Sequence, residues 1–313
     1  MAEDVGRRTL IAGGLALGAV PTLGGTATAA QTSAQPGTHT GTLIGPARGD
    51  RLHVMTFNVR VPVDAPPHSW ADRRPLIRKL LRRESPTLLG TQEGIFGQLQ
   101  DILDDLGPAY DWIHLFREGG SNGESMAVMY DQRRLKPLAY DHLWLSDTPR
   151  LIGSRSWGNN VVRMLTWVRF QDRKTGKSFV HLNTHFDHQS EPSRQRSAEM
   201  VRDTLAGLRT QFGGEPVVVT GDFNTPAETS RSYQILVTEG DLADSWSVAE
   251  DRLTKAYKTF NGWNPVPVEG GDRIDWVLAA PGVTVEQAAI NTWAPDGNPP
   301  SDHWAVQSLL RLP

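Results

Sequence analysis

Six short apolar segments of the chain each stop at a group able to do acid–base or ligand chemistry. Asn58 closes Thr56-Phe57-Asn58-Val59, and Glu93 follows Leu88-Leu89-Gly90-Thr91-Gln92. His185 and Asp187 follow Val180-His181-Leu182-Asn183-Thr184, and Asp222 and Asn224 follow Val217-Val218-Val219-Thr220-Gly221. Asp275 sits in Arg273-Ile274-Asp275-Trp276, and Asp302-His303 opens the last apolar segment. In sheets that bind ligands, functional groups gather at strand ends, where the backbone stops and side chains converge. Each residue alone has a plain structural reading as a turn former, a helix N-terminal acid or a satisfied core histidine. The set does not, because several acids beside buried strands are costly without a partner or a cation. Carboxylates and amides without thiolates favour a hard divalent cation: Mg²⁺ first, with Mn²⁺ or Ca²⁺ as alternatives. Two histidines, each near an aspartate, suit proton transfer and phosphate contact. Together these parts point to metal-assisted hydrolysis of a phosphate ester.

The elements that must position these groups are legible in outline. Residues 52–59 read as a short buried strand, and 72–83 as an amphipathic helix behind an Asp72 cap. Residues 87–92 read as a strand and 95–106 as a second helix. Strands are expected over 125–130 and 143–146, then a hairpin of 162–171 and 177–186 about a turn at 172–176. A long helix over 193–212, a buried strand over 216–224 and two final strands over 273–280 and 303–310 complete the pattern. Hairpins beside crossovers imply a mixed sheet, or paired sheets, covered by helices.

Composition bounds the rest. The chain has 313 residues, a formal charge of −3, ten Trp and no cysteine. Apolar content of 38% supports a sizeable core and excludes a disordered chain. A near-neutral balance argues against a general nucleic-acid coat protein, though not against an enzyme with a local basic patch. Absence of cysteine removes disulfides, thiolate zinc sites and thiol nucleophiles together. Arg7-Arg8 precede a weakly apolar run over 10–20 and small residues at Ala27-Thr28-Ala29. Residues 1–30 therefore read as a twin-arginine-type export signal, 31–50 as a linker and 51–313 as one domain. The expected location is outside the cytoplasm, with no stable membrane anchor, and the protein is expected to be a monomer.

The ordered series Thr56-Phe57-Asn58-Val59, Gln92-Glu93, Asn183-Thr184-His185, Gly221-Asp222-Phe223-Asn224, Arg273-Ile274-Asp275 and Ser301-Asp302-His303 resembles the endonuclease/exonuclease/phosphatase superfamily, the DNase I-like fold. The resemblance spans residues 51–313. It implies an α/β (α+β) four-layer αββα sandwich, two mixed β-sheets packed face to face and flanked by helices. It also implies a Mg²⁺-dependent phosphoesterase. Glu93 matches the principal metal-binding residue of that family, with Asn58 and Asp302 beside the metal. His303 and Asp275 match the pair at the attacking water, and Asp222 and Asn224 match a pair at the scissile phosphate. Either His303 or Asp222 fits the general base. His185 matches a histidine that contacts phosphate or leaving group.

Around this set, Glu124 ends the Gly-rich loop 119–125 and reads as a contact to metal or substrate. Arg163 is a candidate phosphate clamp, and Asp187, two residues after His185, shares its face of an extended chain. Trp70, Trp157 and Trp263 lie in Pro/Gly/Ser-rich stretches and are candidates for stacking on a sugar or base. The stretches 142–149 and 153–157 resemble a bacterial secreted branch of metal-dependent hydrolases. That likeness puts a small sugar, inositol or nucleotide phosphoester first as substrate. A nuclease, with nucleic acid as substrate only, comes second, followed by a sphingomyelinase-type phosphodiesterase. A non-catalytic binding module on the same fold ranks last, because all acidic and imidazole positions are present.

Overall fold

The structure, a computed structural model, describes residues 41–313. The expected export signal and residues 31–40 of the expected linker lie outside the described residues. Residues 43–45 are fastened to the domain, since the backbone N–H groups of Leu43, Ile44 and Gly45 donate to the buried Glu84 carboxylate.

Among the described residues, thirteen strands form two sheets. The first sheet contains β1 (Arg51–Asn58), β2 (Leu88–Gln92), β3 (Tyr110–Ile113), β4 (Val128–Asp131), β10 (Asp251–Arg252), β12 (Thr284–Asn291) and β13 (Ala305–Arg311), in the order β10-β12-β13-β1-β2-β4-β3. The second contains β5 (Leu135–Trp144), β6 (Met164–Asp172), β7 (Ser178–His185), β8 (Val217–Asp222), β9 (Ala243–Asp244) and β11 (Asp275–Ala279), in the order β5-β6-β7-β8-β11-β9. Helices α1 (Trp70–Glu84) and α2 (Phe96–Leu106) cover the first sheet, and α3 (Glu191–Gln211) covers the second. Short helical turns α4 (Arg231–Tyr233), which runs on into a π-helical turn over Gln234–Thr238, and α5 (Ser245–Val248) lie farther along the chain.

Alternation along the strands builds the layers. In β1, Leu52 and Val54 point between the sheets, while Met55 and Phe57 meet Ile77, Leu80 and Leu81 of α1. In β8, Val218 points between the sheets, while Val217 and Val219 meet Ala198, Val201 and Leu205 of α3. The result is the expected αββα sandwich, with three apolar layers and no disulfide to supplement them. No helix among the described residues is long and apolar enough to cross a membrane.

The fold departs from the local expectations where sequence signals are weak. Helix α1 starts at Trp70, with Ser69 rather than Asp72 as its cap; Ser69 Oγ accepts from the Asp72 N–H. Strand β5 runs from Leu135, well before the expected start at 143; Lys136, Pro137 and Tyr140 disguise it as loop, and it bulges between Pro137 and Ala139. Strands β3 and β12 are additions to the expected set. Tyr110–Ile113 is too short to show a period, and the Glu-Gln-Ala-Ala core of Thr284–Asn291 has poor strand composition. The hairpin turn at 172–176 is as expected: Asp172 accepts from the Lys174 N–H and from Thr175 Oγ1, and Gly176 adopts φ +74°.

Between the sheets the core is not uniformly apolar. Beneath one edge, Gln92 Nε2 donates to Asn183 Oδ1 at 2.8 Å and to Thr56 Oγ1 at 3.1 Å. Asn183 Nδ2 donates across to the Thr91 and Ala127 carbonyls, and Thr220 Oγ1 donates to Asn183 Oδ1. The sheets approach closely at Gly90, where a Cβ would lie 2.2 Å from Thr220 Oγ1 and 2.5 Å from Asn183 Oδ1. This polar belt sets how the ends of β1 and β2 face the ends of β7 and β8.

Candidate active site

Register brings the functional residues to one edge. Strands β1 and β2 are parallel with Asn58 opposite Gln92, so Asn58 and Glu93 leave the first sheet side by side. Strands β7 and β8 are parallel and β11 is antiparallel to β8, which aligns His185, Asp222 and Asp275 across three neighbouring strands. Asp302 and His303 stand just before β13, which pairs with β1. The backbone turns sharply at this edge. Arg60, Glu93 and Asn224 adopt φ of +57°, +64° and +51°. For Arg60 and Glu93 that left-handed conformation costs about 1 kcal/mol each, and it aims their side chains into the cleft.

The two rims meet through hydrogen bonds. Asn58 Nδ2 donates to Glu93 Oε1 at 3.0 Å and to Asp222 Oδ2 at 3.0 Å, while its Oδ1 accepts from the Arg60 N–H. Asp275 Oδ2 accepts from His303 Nδ1 at 2.9 Å. The other ring nitrogen of His303, Nε2, faces Asp222 Oδ2 at 3.8 Å, too far for a direct hydrogen bond and suited to an intervening water. Phe223 stacks on Trp276 behind this group with centroids 4.1 Å apart, holding β8 and β11 in place.

Beyond Asp222, His185 Nε2 lies 3.4 Å from Asp222 Oδ2 and 2.9 Å from the Asn224 amide. Its Nδ1 receives Arg163 Nη1 at 3.0 Å. Glu124 pairs with Arg117 at 2.8 Å. Glu93, Glu124, Arg163, His185, Asp222, Asn224, Asp302 and His303 line one open cleft of about 370 Å³. Asn58 and Asp275 sit buried behind it.

Charge distributes unevenly over this cleft. Burial pushes the Glu93 carboxyl up, but the Asn58 amide, the charge of His303 and the Val61 N–H outweigh it and hold Glu93 below the usual range. Burial and the neighbouring Asp275 carboxylate raise Asp222 to about 7. Burial raises Asp302 as well, with the Glu93 charge adding to it. Burial opposes charge on His303, yet the carboxylates of Asp275 and Asp222 prevail and push it up to about 10. Burial and the Arg163 guanidinium hold His185 well below the ordinary imidazole value, so it is neutral. The acids are thus crowded and short of positive charge.

That crowding fits a metal ion. Asp222, Asp275 and His303 each offer a ligand atom within 4.8 Å of the others, and buried Asp275 Oδ1 has no hydrogen-bond partner. Glu93 and Asp302 offer further oxygens, with the Arg60 guanidinium at 3.8 and 3.7 Å. The donors are mostly hard oxygens, which matches a divalent cation.

Three sequence expectations need adjustment. Asp187 is fully buried; its Oδ1 accepts from the backbone N–H groups of Gln189 and Ser190, and its Oδ2 faces Arg163 Nε at 3.9 Å. It shapes the turn into α3 and does not reach the cleft, because the chain leaves extended geometry straight after β7. Arg163 does reach the cleft, but its Nη groups are spent on imidazole nitrogens. The three tryptophans are also engaged elsewhere: Trp70 Nε1 donates to Asp101, Trp157 Nε1 donates to Asp147, and Trp263 stacks on His68. The aromatic ring in the cleft is instead Phe260, 39% exposed and edge-on to His303. Arg60, Arg117 and His188 are further cleft residues that no sequence motif marks. Arg60 and His188 each stand within three positions of a motif residue, which is the only signal the sequence offers for them.

This fold with this cleft defines a phosphoester hydrolase. The family model described as "Endonuclease/Exonuclease/phosphatase family" matches residues 55–303, and the chain belongs to that family, whose members are generally dependent on a divalent metal. Among solved structures, a mannosyl-6-phosphatase of Bacteroides thetaiotaomicron is 30% identical with a TM-score of 0.78, covering 83% of this chain and 99% of that one. An endonuclease/exonuclease/phosphatase of Bacteroides vulgatus is also 30% identical, with a TM-score of 0.77 over 84% and 99% of the two chains. The human Nocturnin catalytic domain shares the fold at 17% identity, with a TM-score of 0.66 over 84% and 95%. "Protein angel" of Drosophila melanogaster is 26% identical over 178 residues, which are 56% of this chain and 49% of that protein. The chain thus matches about half the length of that curated relative.

Proposed function

We propose that the protein is an exported, Mg²⁺-dependent phosphoesterase acting on a small phosphorylated sugar, inositol or nucleotide. The observation that carries the reading is one cleft whose acid-rich rim and Arg/His rim face each other across the His303–Asp275 pair. The 30%-identical mannosyl-6-phosphatase supports a small sugar phosphate as the first substrate to try. The twin-arginine pattern of residues 6–11 supports export.

Glu93 and Asp302 are the residues best placed to hold the cation, because Asp275 is already committed to His303 Nδ1. When bound, the cation supplies positive charge to the phosphoryl oxygens and draws the acids and His303 down towards neutral working values. Asp275 accepts the Nδ1 hydrogen and so leaves His303 Nε2 turned to Asp222 and the cleft. A water between Nε2 and Asp222 Oδ2 contacts both groups, so its proton passes to this pair as it attacks phosphorus. Asn58 holds Asp222 and Glu93 at fixed spacing. His185, held between Arg163 and the Asn224 amide, places its ring beside Asp222 in the cleft, where it would contact a phosphoryl or leaving-group oxygen.

The test is phosphate or p-nitrophenol release from mono- and diester substrates with Mg²⁺, with and without chelator. Activity that chelator abolishes is expected, strongest on small monoesters such as sugar phosphates. Hydrolysis of none of them, or of long nucleic acid alone, rejects this substrate class.

A further inference from the structure

Arg163 precedes β6 and is 4% exposed. Its Nη1 lies 3.0 Å from His185 Nδ1 and its Nη2 lies 3.1 Å from His188 Nδ1. A guanidinium has only donors. His188 must therefore accept at Nδ1 and carry its hydrogen on Nε2, whereas His185 meets a second donor, Asn224 Nδ2, at its Nε2. One buried fork thus holds two imidazoles and sets the tautomer of His188. Asp187 Oδ2 faces Arg163 Nε at 3.9 Å, and Asp187 Oδ1 is anchored by the Gln189 and Ser190 N–H groups in the turn that carries His188.

The two rings differ in surroundings. His185 is buried and directs Nε2 to Asp222 and Asn224, within the catalytic group. His188 is exposed and lines the same cleft, beside Val161, Arg117 and Glu124. A surface imidazole with no assigned work has no need of a buried arginine to fix its hydrogen. We propose that His188 is a substrate-binding residue, presented by Arg163 as a neutral Nε2–H donor to an oxygen of the phosphorylated substrate beyond the reach of His185. Arg163 is then a positioning residue, and the stretch Thr184-His185-Phe186-Asp187-His188 supplies both imidazoles of its fork and the acid nearest its Nε.

The proposal rests on the phosphoesterase reading only for its kinetic arm. The first arm is long-range ¹H–¹⁵N NMR on ¹⁵N-histidine protein at pH 8. A free neutral ring exchanges between tautomers and gives averaged nitrogen shifts. His188 is expected to show a resolved pair, with Nδ1 bare and Nε2 protonated, and Arg163→Met is expected to return it to averaged shifts. Averaged shifts or a protonated Nδ1 at His188 in the unaltered protein overturn the lock. In the same samples, inorganic phosphate should move the His188 Nε2–H resonance; no movement at saturation overturns the contact.

The second arm compares variants at exposed His188, where folding is not at stake. His188→Ala should lower kcat/KM by about 10- to 100-fold, the size of one hydrogen bond to a charged group. His188→Gln restores an N–H near the Nε2 position and should stay within about 3-fold of the unaltered enzyme. Equal losses in both variants overturn the donor role. If the unaltered protein hydrolyses no phosphoester, the phosphoesterase reading fails while the NMR arm still decides this one.

Discussion

The two sheets contribute unlike halves to one cleft. The first sheet's rim supplies Asn58, Glu93, Asp302 and His303; the second supplies Arg163, His185, Asp222, Asn224 and Asp275. On the first, Glu93 and Asp302 lie beside the partly exposed Arg60. On the second, a buried arginine bonds two imidazoles next to the acids Asp222 and Asp275. On the proposed reading the acids of both rims would receive a cation and the Arg/His group an anion. The hydrogen-bonded pair His303–Asp275 takes one partner from each sheet. Neither rim is a site alone, so the spacing between sheets is a functional quantity.

The sharpest way to break the contrast is to neutralise the acidic rim. Glu93→Gln should lower kcat/KM by about 10³-fold, the scale of losing a principal charge-stabilising group, and weaken Mg²⁺ binding measured by titration calorimetry. Unchanged kinetics and metal affinity together would remove Glu93 from the site. Cutting the inter-sheet pair comes next. Asp275→Asn should cost about 10²-fold in kcat, since the acid–base contribution is about 10²–10⁴, and should displace the acid limb of the pH–rate profile. A profile identical to that of the unaltered enzyme argues that His303 works without its carboxylate.

Spacing is tested through the belt. Asn183→Leu strands Gln92, Thr220 and two carbonyls, and should cost about 2–3 kcal/mol in urea unfolding. A loss well below that means water replaces the amide. Acid sensitivity probes the same layer. His181 is fully buried with Nε2 on Thr220 Oγ1, and burial lowers it to about 3. The unfolded chain takes up a proton below about pH 6.5 that the folded chain refuses. Stability from this residue is therefore complete above pH 6.5 and falls as pH drops towards 3. At pH 5 the loss is about 2 kcal/mol, and His181→Gln should remove that part of the slope in thermal melts at pH 7.5 and 5. The smallest effect concerns the aromatic wall beside His303: Phe260→Ala should raise KM about 3- to 5-fold through lost ring packing, whereas Trp157→Phe should leave it unchanged. Equal effects would return stacking to the loop tryptophan.

Much of the site is legible in the sequence. Glu93, Asp222, Asp275 and His303 are readable because each adjoins an apolar run that can only be a buried strand, and strand ends sit at sheet edges. The αββα class follows from the ordered motifs. Less local features leave no such mark. Strand β12 hides in Glu, Gln and Ala, and β5 hides behind Pro137, because pairing with β13 and β6 overrides their weak propensity. Asp187 has the right spacing and the wrong surroundings, while His188 has the right surroundings and no motif to mark it.

Residue type, order and apolar spacing by themselves marked which groups lie at strand ends, because strand burial and strand ends are local properties of the chain. Tertiary structure alone decided which groups meet. Asn58 reaches Asp222 across 164 residues and His303 reaches Asp275 across 28. Those pairings depend on sheet register, the polar belt that sets sheet separation and the left-handed turns that aim Arg60, Glu93 and Asn224. An arginine that reads as a phosphate clamp is a fork for two imidazoles for the same reason: hydrogen-bond direction is fixed by the packing around a side chain, and sequence spacing carries no record of it.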